Sequence, residues 1–595
     1  MALQSVRESG ALLLLAVIAL CSVSTAHGET VQITGLGAVS GSETTTARTQ
    51  QRVLQFLNIP YAEAPVGPRR FRAPVALGPW VGVKDVSIVG RPCPQLGITD
   101  LLPPLEQTRS ENEDCLSLSV YTKNVTVSRP VMVYIHGGSF TGGSAALYPP
   151  NYLLERDIVL VAIQYRLGAL GFLSTMTDVI PGNVAMLDML MALQWVQDHV
   201  SVFGGDPSRV TVFGQSAGSA AVSALLYSPL VPPTAFRQAI LQSGGSTAAW
   251  AVDPNPVENA REVARFAGCD PVRPIEDVER CLLELPVVML LRAVQAHTLD
   301  RMQDQGHNNV GGSGMVVGGP SNFLPASPFN LLRTGQVRKD VRLMAGVTQH
   351  DGSFMLTGIY DSLNSVGLIE NRAFNQFDLI DTVNRILGID ENSGTLAGYE
   401  VESLFTEEEL TSGNFSRLMY GLIDIAGAII IKAGLLRDVQ AIAQHSLEPA
   451  YLYTFDYRGQ HTRFGWGLPT AHYPFPGGVH HSDDNIYLFP FPADVANLNA
   501  ADTAMSELMV DLWTSFAIDG VPSSNRGIPT WPRVTGPAGP YLHINNPATV
   551  GTNFYDEYTI SAHRPSAANG TPLVSMGVLF TTALLLAVLS IVRTA

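Results

Sequence analysis

The sequence is poor in charge, in cysteine and in tryptophan. Only 15% of its 595 residues are charged while 46% are apolar, a balance that excludes an intrinsically disordered chain. Lys plus Arg total 36 against 52 Asp plus Glu, a net charge of −16, and there is no long basic run. Nucleic acid is held by Lys and Arg that neutralise phosphates, so no nucleic-acid partner is expected. Neither C-x-x-C nor H-E-x-x-H occurs; without these zinc and thiol-redox signatures no metal or cofactor is expected. The 54 Gly and 39 Pro follow no period, which excludes collagen and solenoid repeats. What remains is a large, turn-rich globular chain.

The two ends account for part of the apolar excess. Arg7 precedes the apolar run Ala11 to Cys21, and Ser24-Thr25-Ala26 puts small residues at the −3 and −1 positions of a cleavage site, so residues 1–26 read as a secretory signal peptide. Leu573 to Val592 is twenty residues without a charge, enough to cross a bilayer core of about 30 Å. Small residues at Ser561-Ala562 and Ser566-Ala567-Ala568 precede it. Residues 567–595 therefore read as a C-terminal membrane attachment, with a GPI signal favoured over a transmembrane helix.

Secretion sets how the cysteines are read. Five Cys less Cys21 leaves Cys93, Cys115, Cys269 and Cys281, an even set for an oxidising compartment that allows three pairings, of which local pairing is the simplest. Asn124-Val125-Thr126, Asn414-Phe415-Ser416 and Asn569-Gly570-Thr571 become candidate glycosylation sites.

At about 150 residues per domain the length allows about four domains. Apart from the polar, Gly-rich stretch Gln303 to Pro320, however, no low-complexity linker interrupts the middle, so residues 27–566 are read as one domain. Strand-length apolar runs recur at Val131 to Ile135, Ile158 to Tyr165, Val210 to Phe213, Ala239 to Leu241 and Val341 to Ala345. Helix-length segments lie between them, as at Asn183 to His199, where Val184, Leu187, Met191, Leu193 and Val196 approximate one apolar face. Alternation of this kind predicts an α/β fold with a large parallel sheet covered on both sides. Functional groups then gather at the carboxyl ends of strands.

Val210 to Phe213 runs into Gly214-Gln215-Ser216-Ala217-Gly218, and Ser219 to Leu226 reads as a helix. This strand, turn and helix around G-x-S-x-G would hold Ser216 in a strained turn, its glycines removing side chains that would clash. Upstream, Val131 to Ile135 ends at His136-Gly137-Gly138-Ser139-Phe140, an H-G-G-type loop whose amides could stabilise an oxyanion with that of Ala217. A serine nucleophile needs a base and an orienting carboxylate in the order Ser, acid, His. His297, His307, His350, His445, His461, His472, His480, His481, His543 and His563 all follow it, and spacing does not choose among them.

Several motifs in the right order resemble the cholinesterase and type-B carboxylesterase family of α/β-hydrolases. They are Ile59-Pro60-Tyr61-Ala62, Arg70-Phe71, Cys93-Pro94-Gln95, Glu113-Asp114-Cys115-Leu116, Tyr165-Arg166-Leu167-Gly168, Phe203-Gly204-Gly205-Asp206-Pro207 and Gln242-Ser243-Gly244. The resemblance implies Asp351 as the acid, in Gly346-Val347-Thr348-Gln349-His350-Asp351-Gly352, where the family usually has Glu. It implies His481 as the base, in Gly478-Val479-His480-His481-Ser482-Asp483-Asp484, with oxyanion donors Gly138, Ser139 and Ala217. It also implies the pairings Cys93–Cys115 and Cys269–Cys281, and a structural ion pair between Arg70 and Glu113. Two departures argue against a cholinesterase: Gln215 stands where those enzymes carry Glu, and no Trp lies between Cys93 and Cys115 to face a quaternary ammonium. Phe354 and Trp250 match pocket aromatics of the family.

The expectation is a surface-attached serine hydrolase of neutral carboxylic esters, with a small-molecule ester as partner and oligomerisation compatible with it. A narrow hormone or odorant esterase is a variant of that reading, decided by the Gln303 to Pro320 stretch. The rival from another class is a cell-surface adhesion protein of the same fold with little or no catalysis.

Overall fold

A computed structural model of the chain describes residues 28–96, 111–305, 311–387, 395–396, 399–400, 404–464, 473–490 and 498–560. The expected signal segment, the C-terminal apolar run and Asn569 lie outside the described residues.

The chain opens with β1 (Thr30–Ile33) and β2 (Gly37–Ser40), which form a small sheet with β5 (Val83–Asp85). The large sheet draws on β3 (Ser42–Thr45), β4 (Arg52–Pro60), β6 (Ser117–Thr122), β7 (Arg129–Ile135), β8 (Val159–Ile163), β9 (Gly205–Gln215), β10 (Gln238–Gln242) and β11 (Arg342–Thr348). After a short hairpin of β12 (Thr395–Leu396) and β13 (Tyr399–Glu400), it is completed by β14 (Ala450–Phe455), β15 (Tyr541–Ile544) and β16 (Thr549–Gly551). Its eleven strands run in the order β16-β15-β14-β11-β10-β9-β7-β8-β6-β4-β3. From β8 through β15 every neighbouring pair is parallel, and the two margins are antiparallel. This is the α/β arrangement that the alternating pattern predicts.

Central strands buried on both faces read as unbroken apolar runs, and side chains along β7 go alternately to two cores. Val131, Val133 and Ile135 join one cluster with Ala217, Ala221 and Leu225 of α2 (Ala217–Leu225). Met132 and Tyr134 join another with Trp513 and Phe516 of α6 (Ala500–Asp519). β8 and β9 flank β7 on opposite sides, and at such a reversal of strand order the loops diverge and leave a crevice at the strands' carboxyl ends.

Several element limits and one helix face differ from the sequence expectation. β9 begins at Gly205, ahead of Val210, and α2 begins at Ala217, directly after the turn. Helix α1 (Val184–His199) buries Val184, Leu193 and Val196 as expected, but Leu187 and Met191 are only half-buried against the core, and Ala185, Met189, Ala192 and Asp188 are inside as well. Asp188 is held by Arg166 through two charge-assisted bonds of 2.7 and 2.5 Å, so the helix is buried on its polar side too and its pattern loses contrast. Both disulfides form as local pairs, Cys93–Cys115 and Cys269–Cys281. The Arg70 guanidinium pairs with Glu113 and also donates to the carbonyls of Leu283 and Leu285, tying the two regions together.

Among the described residues one helical run is long and apolar enough to cross a membrane, Phe415–His445, but 83% of its apolar window is buried inside the fold. It consists of α4 (Phe415–Gly427), a π segment Ala428–Lys432, and α5 (Ala433–His445).

Candidate active site

Ser216 sits where β9 turns into α2, with φ 56° and ψ −125°, a backbone region that costs a non-glycine residue of order 1–3 kcal/mol. The two glycines of the motif make the turn possible. A Cβ on Gly218 would stand 2.1 Å from the carbonyl oxygen of Ile135 in β7, and one on Gly214 would stand 2.6 Å from Gly218 itself. The Ser216 amide donates to the carbonyl of Gln242 at 2.8 Å. The first amides of α2, beginning with Ala217, have no partner within the helix and face the turn.

The loop after β7 carries three successive residues at positive φ, Gly138 at 112°, Ser139 at 54° and Phe140 at 59°. Successive left-handed residues turn amides toward one side, the kind of concavity that receives an anion. Ser139, in the place of a family glycine, tolerates this conformation and is exposed. His136 holds the loop from beneath: it stacks on Tyr165 at 4.5 Å, and Tyr165 donates to its carbonyl at 2.7 Å. Burial pushes the His136 imidazole down to about 4, so it stays neutral. Gln95, two residues from the Cys93–Cys115 bridge, accepts from the Gly143 amide at 3.0 Å and donates to the Gly143 carbonyl at 2.9 Å.

Asp351 lies beyond β11 and His481 in the loop that follows β14, 130 residues later. The backbone joins the two loops, as the His350 amide donates to the Val479 carbonyl at 2.9 Å. Nδ1 of His481 is 2.7 Å from Oδ1 of Asp351, and both side chains are buried. The other oxygen, Oδ2, accepts from the Ser243 hydroxyl at 2.9 Å and from the Thr348 amide at 3.0 Å. Asp351 thus reaches the imidazole despite being one methylene shorter than Glu. His480 points elsewhere, its Nδ1 bonding the His481 carbonyl at 2.8 Å.

The ring of Phe354 stacks on His481 at 4.7 Å. Trp250 lies 6.0 Å from Phe140, and its indole N–H donates to the Ile430 carbonyl of the π segment at 2.7 Å. Of the Gln303 to Pro320 stretch, Gln303 belongs to helix α3 (Val287–Gln305) and residues 306–310 lie outside the described residues. Met315 and Val316 are buried, and Val316 exchanges bonds with the Asn183 side chain at 2.8 Å.

Three further residues brace this site: Gln95 and Ser243, which lie in the motifs Cys93-Pro94-Gln95 and Gln242-Ser243-Gly244 without a role read from them, and Lys432, which the sequence does not single out. Ser243, directly after β10, fixes the Asp351 carboxylate. Gln95 fixes the loop after β7. Lys432, 1% exposed, donates from Nζ to the carbonyl of Gln349 at 2.8 Å and to that of Glu557 at 2.5 Å, anchoring the acid turn to the π segment. The candidate glycosylation residues Asn124 and Asn414 are both exposed. Among the described residues no group of three or more His, Cys, Asp or Glu is placed to hold a metal ion.

Comparison with known proteins gives this architecture a family. The carboxylesterase family model matches residues 27–560. Glutactin of Drosophila melanogaster is 34% identical over 87% of this chain, which spans 49% of glutactin's length. Juvenile hormone esterase of Tribolium castaneum is 33% identical, covering 83% of this chain and 84% of its own. Carboxylesterase 3B of Mus musculus is 33% identical, covering 84% of each. With a family match over residues 27–560, a mostly parallel eleven-stranded sheet and relatives of this kind, the chain belongs to the carboxylesterase family, whose fold is the α/β-hydrolase.

Proposed function

We propose that this carboxylesterase hydrolyses neutral carboxylic esters through Ser216, His481 and Asp351. The Ser216 hydroxyl attacks the ester carbonyl while His481 takes its proton at Nε2, and Asp351 holds the imidazolium through Nδ1. The amides of Gly138, Ser139 and Ala217 bind the oxygen that becomes negative. Such preorganised donors contribute about 3–4 kcal/mol each when tested singly. His481 then returns the proton to the departing alcohol, and water cleaves the acyl-enzyme by the same route. The observation that carries this reading is the 2.7 Å contact of His481 with Asp351 at the strand ends that also present the strained Ser216. Ester turnover by Ser216→Ala tests it: loss of turnover is expected, and unchanged turnover overturns it.

The Phe354 ring stacks on the base, an apolar contact beside the reacting atoms that supports an uncharged substrate. The likeness to a juvenile hormone esterase brings hormone esters into the candidate class; a screen across acyl and alcohol chain lengths resolves the preference. We further read residues 27–566 as one domain, glycosylated at Asn124 and Asn414 and held at the cell surface by residues 567–595. The two disulfides support an oxidising compartment. Release from cells by a GPI-specific phospholipase is expected, and retention after treatment overturns the GPI reading.

A further inference from the structure

Gln215, the residue before the nucleophile, is 4% exposed, and its side chain runs between the loop after β7 and the base. Its Nε2 lies 3.0 Å from Nε2 of His481. Its Oε1 packs at the other end against Gly137, where a Cβ would come within 3.1 Å of it.

The chemistry of these atoms fixes their roles. A carboxylate only accepts, so the proton between His481 and Asp351 belongs to Nδ1 of the imidazole. Nε2 of the neutral ring then has one in-plane lone pair and no proton. A carboxamide nitrogen only donates, so Gln215 fills that lone pair. The Ser216 hydroxyl needs the same lone pair to lose its proton, yet among the described residues Nε2 takes its hydrogen bond from Gln215 and none from Ser216.

We propose that Gln215 is a positioning residue that competes with Ser216 for the base. In the free enzyme it holds the neutral imidazole in the Nδ1–H tautomer, between the turn and the oxyanion loop; when an ester settles against Ser216, the hydroxyl displaces it. A neutral donor at Nε2 opposes protonation of the ring, whereas a carboxylate there would favour it. The other groups around His481 are the Asp351 carboxylate at Nδ1, the Phe354 ring, and His480 and Asp484, which interact with it electrostatically.

This inference rests on Ser216 and His481 being nucleophile and base, and the tests separate the two. If Ser216→Ala retains turnover, the underlying reading fails; the present one is read from Gln215 variants. Gln215→Leu keeps the bulk and removes the donor. Its acid limb in kcat/KM is expected at higher pH than in the native enzyme, and an organophosphate should label Ser216 several-fold faster at pH 8. Gln215→Glu should move the acid limb further, by about one pH unit, with turnover at pH 6 roughly tenfold lower. Profiles of both variants that superimpose on the native one overturn the proposal, as does a uniform loss of turnover without displacement. The native protein provides a readout that needs no variant to fold. In nitrogen-15-labelled enzyme, a coupling across the hydrogen bond from the Gln215 amide to His481 Nε2 is expected in the free state and absent once Ser216 is phosphonylated. A free enzyme without that coupling overturns the proposal.

Discussion

The hydroxyl of Ser243 donates to Oδ2 of Asp351 at 2.9 Å, the oxygen that His481 leaves unused. Ser243 follows β10 directly, so Asp351 is aimed by a neighbouring strand as well as by its own turn. Ser243→Ala leaves a buried carboxylate oxygen with only the Thr348 amide, and a loss of about 1–2 kcal/mol in stability is expected. Turnover should fall about tenfold through kcat, with KM little changed. Thermal melts and steady-state kinetics on one soluble ester check both.

Substitutions of Asp351, the proposed acid, give a sharper contrast. Asp351→Asn keeps the shape but allows the wrong imidazole tautomer, for which a drop of about 10⁴ in kcat is expected. Asp351→Glu restores the usual family residue, yet Asp351 is fully buried and bonded at both oxygens, so the added methylene has no room. We expect the Glu variant to be less active than the native enzyme and more active than the Asn variant. Kinetics on the three proteins order them.

The glycines of the turn around Ser216 should tolerate nothing larger. Gly218→Ala would set a Cβ 2.1 Å from the Ile135 carbonyl, backbone that cannot swing away. Loss of turnover together with a lower melting temperature is expected, in contrast to Ser216→Ala, which should melt near the native temperature.

Acid should destabilise the fold through buried histidines. His136 is pushed down to about 4 by burial, and burial lowers His480 in the same direction. Between pH 6.5 and about 4 the unfolded chain binds a proton at His136 that the folded chain refuses, so stability is full above pH 6.5 and is lost as pH falls through this window. For His136 the loss reaches about 3 kcal/mol. Melting temperatures recorded from pH 7.5 to 4.5 should fall, and His136→Gln should flatten the fall.

Much of the site is legible in the sequence because its signals are local. The turn at Ser216 needs two glycines within five residues, and the strand before and helix after it are written in the same twenty positions. Asp351 and His481 are legible only through family resemblance, since many histidines follow Ser216 and spacing favours none. The contacts of the bracing residues are silent for a different reason, even where the residues lie in a family motif: Ser243 meets its partner 108 positions away and Lys432 reaches the Gln349 carbonyl across 83. Helix α1 misleads because the Arg166–Asp188 pair buries its polar side. A pattern of apolar and polar residues cannot distinguish a charge facing water from one facing a buried partner.

The most direct test of the central claim is the site of covalent labelling by an organophosphate, mapped by mass spectrometry on the intact, disulfide-bonded protein. A single adduct on Ser216 that forms in step with loss of ester turnover, and that is absent from Ser216→Ala, is the expected result. Inactivation with the adduct on any other residue, or full turnover by a protein fully labelled at Ser216, would contradict it.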